Sequence, residues 1–157
     1  MPRRESTDEV HRIGATRFWT PAQANGRLPE LGVLLGEMRT WVERLRVVHA
    51  ELHRLRALWG REIDARDIPD RRHKDRLDQE WRALSRRLEE TLLSLREEGI
   101  RISDLEEGLV DFYARRRGEV VFLCWRRGED RIGFYHSLEG GFRGRRPLSD
   151  RGRDGRR

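Results

Sequence analysis

Cysteine is almost missing from this chain. Cys124 is the only one in 157 residues, so no intrachain disulfide can form and a reducing, cytoplasmic setting is expected. Lysine is as scarce, with Lys74 alone against thirty-three arginines. Such wholesale arginine use weakens any functional reading of one arginine taken singly. Long hydrophobic runs are missing too. The longest unbroken apolar stretch is Val120–Trp125, far short of the roughly 20 residues a membrane helix needs. Met1–Ile13 has no apolar centre for a signal peptide, and no membrane partner is expected.

What the chain has is charge, 39% of residues against 36% apolar, which suits helices with broad solvated faces. The net charge of +6 invites a nucleic-acid reading, but its location narrows that reading. Residues 143–157 hold seven arginines and two aspartates, so most of the excess sits in the tail. The segment resembles arginine-glycine ends that bind nucleic acid without sequence preference. It has no aromatic after Phe142 and no base-reading element, so only phosphate attraction is supported. Residues 1–15 and 149–157 read as a disordered N-terminal arm and a basic disordered tail.

Thr16–Trp19 has the look of a short strand. Thr20-Pro21 marks a helix start, a hydroxyl cap followed by proline in the first turn. Gly26 weakens that helix and Pro29 is expected to end or kink it. Then Leu34, Met38, Trp41, Leu45, Val48, Leu52, Leu55 and Trp59 recur at alternating steps of four and three, a heptad seam on one helix from about Glu30 to Trp59. Gly60 breaks the pattern, and residues 61–75 read as a connection with a helical turn from Asp70. A second seam, Leu77, Trp81, Leu84, Leu88, Thr91/Leu92 and Leu95, ends at Gly99. The two helices predict an antiparallel hairpin over 30–98, with Trp59 near Leu77 and Trp41 near Leu95. Two helices leave such seams partly wet, so the sheet, a second copy of the chain, or both must cover them, and a homodimer through exposed seam is expected.

Past Gly99 the apolar period changes from about 3.6 to two. Ile100–Ile102 is a possible strand and Ser103–Gly108 an acidic turn. Leu109–Arg115, Glu119–Arg126 and Arg131–Ser137 are strands, and Gly140, Gly141 and Gly144 allow a tight bend before Pro147. The expected fold is α+β: one domain over 16–148, a long antiparallel helical hairpin with a small C-terminal antiparallel β-meander over 100–148, three strands at its heart.

Several separated motifs carry a resemblance: WTPAQANGRLPEL at 19–31, GLVDF at 108–112, LCW at 123–125, GE at 128–129, FYH at 134–136 and GFRGRRPL at 141–148. In this order and spacing they resemble domain-of-unknown-function family 2203, an uncharacterised prokaryotic family, over roughly 17–148. The resemblance implies a shape and a set of recurring residues, and no chemistry. Tyr113 stands where the family usually has proline, and Ser137 where it usually has glutamate.

The candidate site residues lie in the strand region. Cys124 and His136 are the sharpest pair, because imidazole serves a thiolate as base or joins it as a metal ligand. Their meeting depends on the register of the third hairpin. With Arg127 opposite Asp130, Cys124 sides with Gly133 and Tyr135. With Arg127 opposite Arg131, Cys124 and Phe122 share a face with Phe134 and His136. Asp111 sits among apolar residues, where a carboxylate needs a partner such as Arg145 or His136. Glu129, Arg145 and Trp125 complete the ligand-binding candidates, and Cys124, His136 and Asp111 are the metal candidates. Against these stands the plain alternative of a buried apolar cysteine and a histidine stacked among aromatics. His49 and His53, four apart but off the seam, read as solvated. No complete catalytic constellation is present, and no cofactor is named. The first expectation is therefore a non-catalytic binding or scaffold protein. The second is a metal- or small-molecule-binding protein, with or without activity, using Asp111, Cys124, Glu129 and His136. The third is weak nucleic-acid association through the tail.

Overall fold

Thr20 starts the first helix. Its Oγ1 accepts the Gln23 N–H at 3.2 Å while Gln23 Oε1 accepts the Thr20 N–H at 3.1 Å, a reciprocal cap on two otherwise unpaired donors. The structure, a computed structural model, describes residues 17–149, and in it α1 runs unbroken over Pro21–Trp59. The break expected at Pro29 does not occur. Ala24, Leu28, Leu31 and Leu35 are buried on both sides of that exposed proline. Each buried leucine contributes about 1.5–3 kcal/mol, and together they outweigh the roughly 3 kcal/mol an interior proline costs. Residues 17–20 form no strand. Trp19 is anchored instead by its N–H to the Tyr113 carbonyl and its indole N–H to the Glu98 carbonyl, each at 2.7 Å.

Gly60, at φ 53°, ends α1, a 3-10 turn follows over Gly60–Asp64, and α2 spans Arg71–Glu97. The chain divides into two compact units, Gly36–Thr91 and the remainder, so the boundary cuts both helices and does not fall where helix gives way to strand. In the Gly36–Thr91 unit, Val48, Leu52 and Leu55 of α1 meet Ile63 and Leu77, with Trp59 packed against them. The Trp59 indole donates to Asp70 at 2.9 Å, and Lys74 bridges Asp64 at 3.0 Å and Asp78 at 2.8 Å. Glu51 contacts His73 at 3.0 Å, and the Arg87 guanidinium lies 4.4 Å over the Trp41 ring. Trp41 is thus paired about two turns short of Leu95. The connection is shorter than expected because Ile63 and Ile68 turn inward and α2 begins at Arg71. Trp81 remains 36% exposed and Trp41, Leu45, Leu84 and Leu88 are half-buried, so the middle of the seam is partly wet. His49 and His53 are exposed, His49 with its ring 5.8 Å from that of Trp81.

The second unit, 17–35 and 92–149, holds the sheet. Its strands are β1 (Ile100–Asp104), β2 (Leu109–Arg116), β3 (Glu119–Arg126), β4 (Phe134–Ser137) and β5 (Arg146–Pro147), antiparallel throughout and adjacent in chain order. The possible strand at Ile100–Ile102 is present as β1, extended to Asp104, and β5 is an addition to the expected meander. Gly99 makes the turn from α2 into β1. Its φ is 77°, and a Cβ there would collide with the Arg17 carbonyl, so both the conformation and the space call for glycine. Strand alternation puts Val110, Phe112, Ala114, Val121, Leu123 and Trp125 on one face. There Phe112 meets the edge of Trp19 at 5.3 Å and Trp125 lies against Gly32 of α1. Asn25 of α1 accepts the Ile132 N–H at 2.7 Å and ties the β3–β4 loop to the same helix. The opposite face carries the polar candidates. The N-terminal arm and the arginine-rich tail fall outside the described residues, apart from Ser149.

Candidate functional site

Three adjacent strands supply the site. The β3–β4 register sets Cys124 opposite Phe134 and Phe122 opposite His136, which is the register with Arg127 opposite Arg131, although strand pairing itself ends at Cys124 and Phe134 and a longer loop joins the strands. Asp111 of β2 lies directly opposite Cys124, and Arg101 of β1 directly opposite Asp111. All of these side chains share the face turned away from α1.

Asp111, Cys124 and His136 are 1–2% exposed, and one ligand-type atom from each lies within 4.8 Å of the others. His136 Nε2 is 2.9 Å from Asp111 Oδ1, a contact that crosses the central strand from β4 to β2. The other ring nitrogen, Nδ1, is 2.7 Å from the Ser137 carbonyl. A carbonyl only accepts, so Nδ1 carries a hydrogen. The second ring nitrogen, Nε2, is thus the one turned towards the Asp111 carboxylate. Asp111 Oδ2 accepts from Arg101 Nη2 at 2.6 Å and from the Ser103 hydroxyl, so the buried carboxylate is fully partnered.

Cys124 is held as a thiol. Burial is the main cause and the Asp111 carboxylate beside it adds to the effect, pushing its pKa up to about 12. Arg145 opposes that shift and Glu129 reinforces it. These two residues pair with each other, Arg145 Nη2 standing 2.8 and 3.0 Å from the Glu129 carboxylate oxygens. Glu129 also accepts the Arg126 N–H at 2.9 Å across the β3–β4 turn. The Arg145 guanidinium lies over Phe134 at 3.9 Å and Phe142 at 4.6 Å, and its Nε is a buried donor with no partner among the described residues.

Of the six candidates, Asp111, Cys124 and His136 converge. Glu129 and Arg145 form a neighbouring pair close enough to act on the Cys124 thiol. Trp125 is on the opposite face, its indole donating to the Glu129 carbonyl at 2.9 Å. Asp111 takes His136 and not Arg145 as its partner. Arg101 and Ser103 escape a reading of the sequence, although Arg101 falls between two isoleucines and therefore points away from the core face. Chemically, the trio offers a sulfur, a nitrogen and an oxygen to something the size of one atom. It is not arranged as nucleophile, base and orienting group, because both His136 nitrogens face oxygen and neither is aligned on a thiolate.

The fold and the buried trio define an α+β protein with a polar centre set into the outer face of an antiparallel sheet. The model of the family described as "Uncharacterized conserved protein (DUF2203)" matches residues 17–148, and the chain belongs to that family. No curated protein and no solved structure matches significantly. Among the described residues, no helix is long and apolar enough to cross a membrane.

Proposed function

We propose that this chain is a non-catalytic binding protein whose ligand site is the trio Asp111, Cys124 and His136. The observation that carries this reading is the convergence of three buried donor groups within 4.8 Å without an activated nucleophile among them. The high thiol pKa argues against covalent catalysis, since the thiolate is the reactive form. The packing of the trio between neighbouring strands suits a very small ligand. Melting of the full chain against a panel of metal ions and small anions tests the proposal. A ligand that raises Tm for the wild type and not for Asp111→Asn supports it. Rapid alkylation of Cys124 in the native protein at neutral pH, or stabilisation that Asp111→Asn retains, contradicts it.

A second reading has its own observation. Trp81 is exposed and its seam neighbours are half-buried, which favours a homodimer or scaffold formed by the helical hairpin. Light scattering of the wild type beside Trp81→Glu tests this, with a dimer reduced to a monomer as the supporting result and a wild-type monomer as the contrary one. The lone thiol suits the cytoplasmic setting we assign. Weak nucleic-acid contact through the tail is tested by removing residues 149–157, which abolishes salt-sensitive binding if the tail carries it.

A further inference from the structure

Resting on the binding reading above, we propose that the ligand of Asp111, Cys124 and His136 is a single divalent transition metal ion of the zinc class. Space comes first. The donor atoms are already within 4.8 Å of one another. In a tetrahedral centre with bonds of about 2.0–2.3 Å, donors stand about 3.3–3.8 Å apart. The outer limit of the observed separations exceeds that spacing by only about 1.0–1.5 Å, and the Nε2–Oδ1 pair, at 2.9 Å, has to open slightly to meet it.

The donor set selects the ion. Magnesium and calcium take oxygen ligands, whereas thiolate with imidazole favours zinc and its softer neighbours. The surroundings agree. A histidine that binds metal commonly donates its remaining ring N–H to a backbone carbonyl, and a metal-bound carboxylate is itself hydrogen-bonded. His136 Nδ1 donates to the Ser137 carbonyl at 2.7 Å, which leaves the Nε2 lone pair aimed at Asp111. Arg101 and Ser103 occupy Asp111 Oδ2 and leave Oδ1 for the ion.

Charge decides whether the ion is tolerable at a buried site. On uptake, bonds form from the ion to Sγ, Nε2 and Oδ1, the thiol S–H bond breaks and its proton passes to solvent. A dication with one thiolate, one carboxylate and a neutral imidazole is neutral, so the usual penalty for burying an ion is avoided. Three protein donors leave one tetrahedral position, which water fills.

The experiment uses the reduced, chelator-stripped full chain titrated with cobalt(II). The expected result is a thiolate-to-cobalt charge-transfer band and tetrahedral d–d bands, saturating at one equivalent and bleached by one equivalent of zinc. The charge-transfer band disappears in Cys124→Ser and persists in a His49→Ala/His53→Ala double variant. The wild-type spectrum decides the matter even if Cys124→Ser folds poorly. Absence of the charge-transfer band overturns the proposal, as does its survival in Cys124→Ser or its loss in the helix variant. Stabilisation of the wild type by a small anion without any cobalt band overturns the metal assignment and leaves the binding reading in place. If neither metal nor anion has any effect, both fail.

Discussion

His136 Nε2 meets Asp111 Oδ1 at 2.9 Å across an intervening strand, and the two residues, 25 apart in sequence, are both nearly inaccessible to solvent. That contact ties β4 to β2 over Cys124 of β3 and makes Asp111 the hub of the outer face.

Asp111→Asn removes the charge that Arg101, Ser103 and His136 all address, and turns an amide N–H towards one of these partners. Breaking a buried pair of this kind costs about 3–5 kcal/mol. Glu129→Gln loses the half-buried ion pair with Arg145, whose stacking on Phe134 and Phe142 survives, while its remaining oxygen can still accept the Arg126 N–H, and the change is expected to cost about 1 kcal/mol. Urea denaturation checks the order of the two. Equal losses would remove Asp111 from its place as hub.

Alkali is expected to destabilise the metal-free protein through Cys124. Its folded pKa, about 12, lies above that of an exposed thiol, so between the two values the unfolded chain has released a proton that the folded chain retains. Stability is therefore whole below the ordinary thiol pKa and falls as pH rises towards 12, by about 1.4 kcal/mol per pH unit at most for this one group. Cys124→Ala flattens that slope. Denaturation midpoints measured on both proteins from pH 8 upward give the comparison, and parallel slopes would contradict it.

Acid acts on the Gly36–Thr91 unit. Hydrogen bonds from Lys74 to Asp64, from His73 to Glu51 and from Arg44 to Glu80 hold these carboxyl groups below their ordinary range. A depressed folded pKa gives stability that is present above the unfolded value and lost as pH falls through the folded one. Helicity is thus expected to weaken below about pH 4. Lys74→Met, which frees Asp64 and leaves the methylene stem in place, narrows that loss. Circular dichroism against pH reads it, and an unchanged profile in Lys74→Met would show that the lysine bridge is not involved.

Pro29→Ala restores one helical hydrogen bond within an unbroken helix at an exposed position. Stability is expected to rise by about 1–3 kcal/mol, read as a higher Tm. A fall would mean that the proline serves the packing of Leu28 and Leu31 in a way the helix geometry does not reveal.

The change at Gly99 from helical to strand periodicity is legible because 3.6 and two are distinct spacings, and the α+β class follows from it. Continuity through Pro29 is not legible, since local propensity names the penalty while the burial that offsets it belongs to the folded unit. The β3–β4 register depends on a loop one residue longer or shorter, and that one residue decides whether Cys124 and His136 share a face. Arg101 stands opposite Asp111 in regular register, whereas Ser103 lies at a register shift between Ile102 and Asp104 that no apolar pattern announces. Trp125 is adjacent to Cys124 in sequence and for that reason faces the other way, as strand alternation requires.

The most direct measurement is an anomalous difference map at the zinc edge from crystals of the reduced protein grown with zinc. The proposed zinc centre predicts one peak within about 2.0–2.3 Å of Cys124 Sγ, His136 Nε2 and Asp111 Oδ1. A map with no peak there, or with zinc held only by exposed histidines such as His49 and His53, would contradict it.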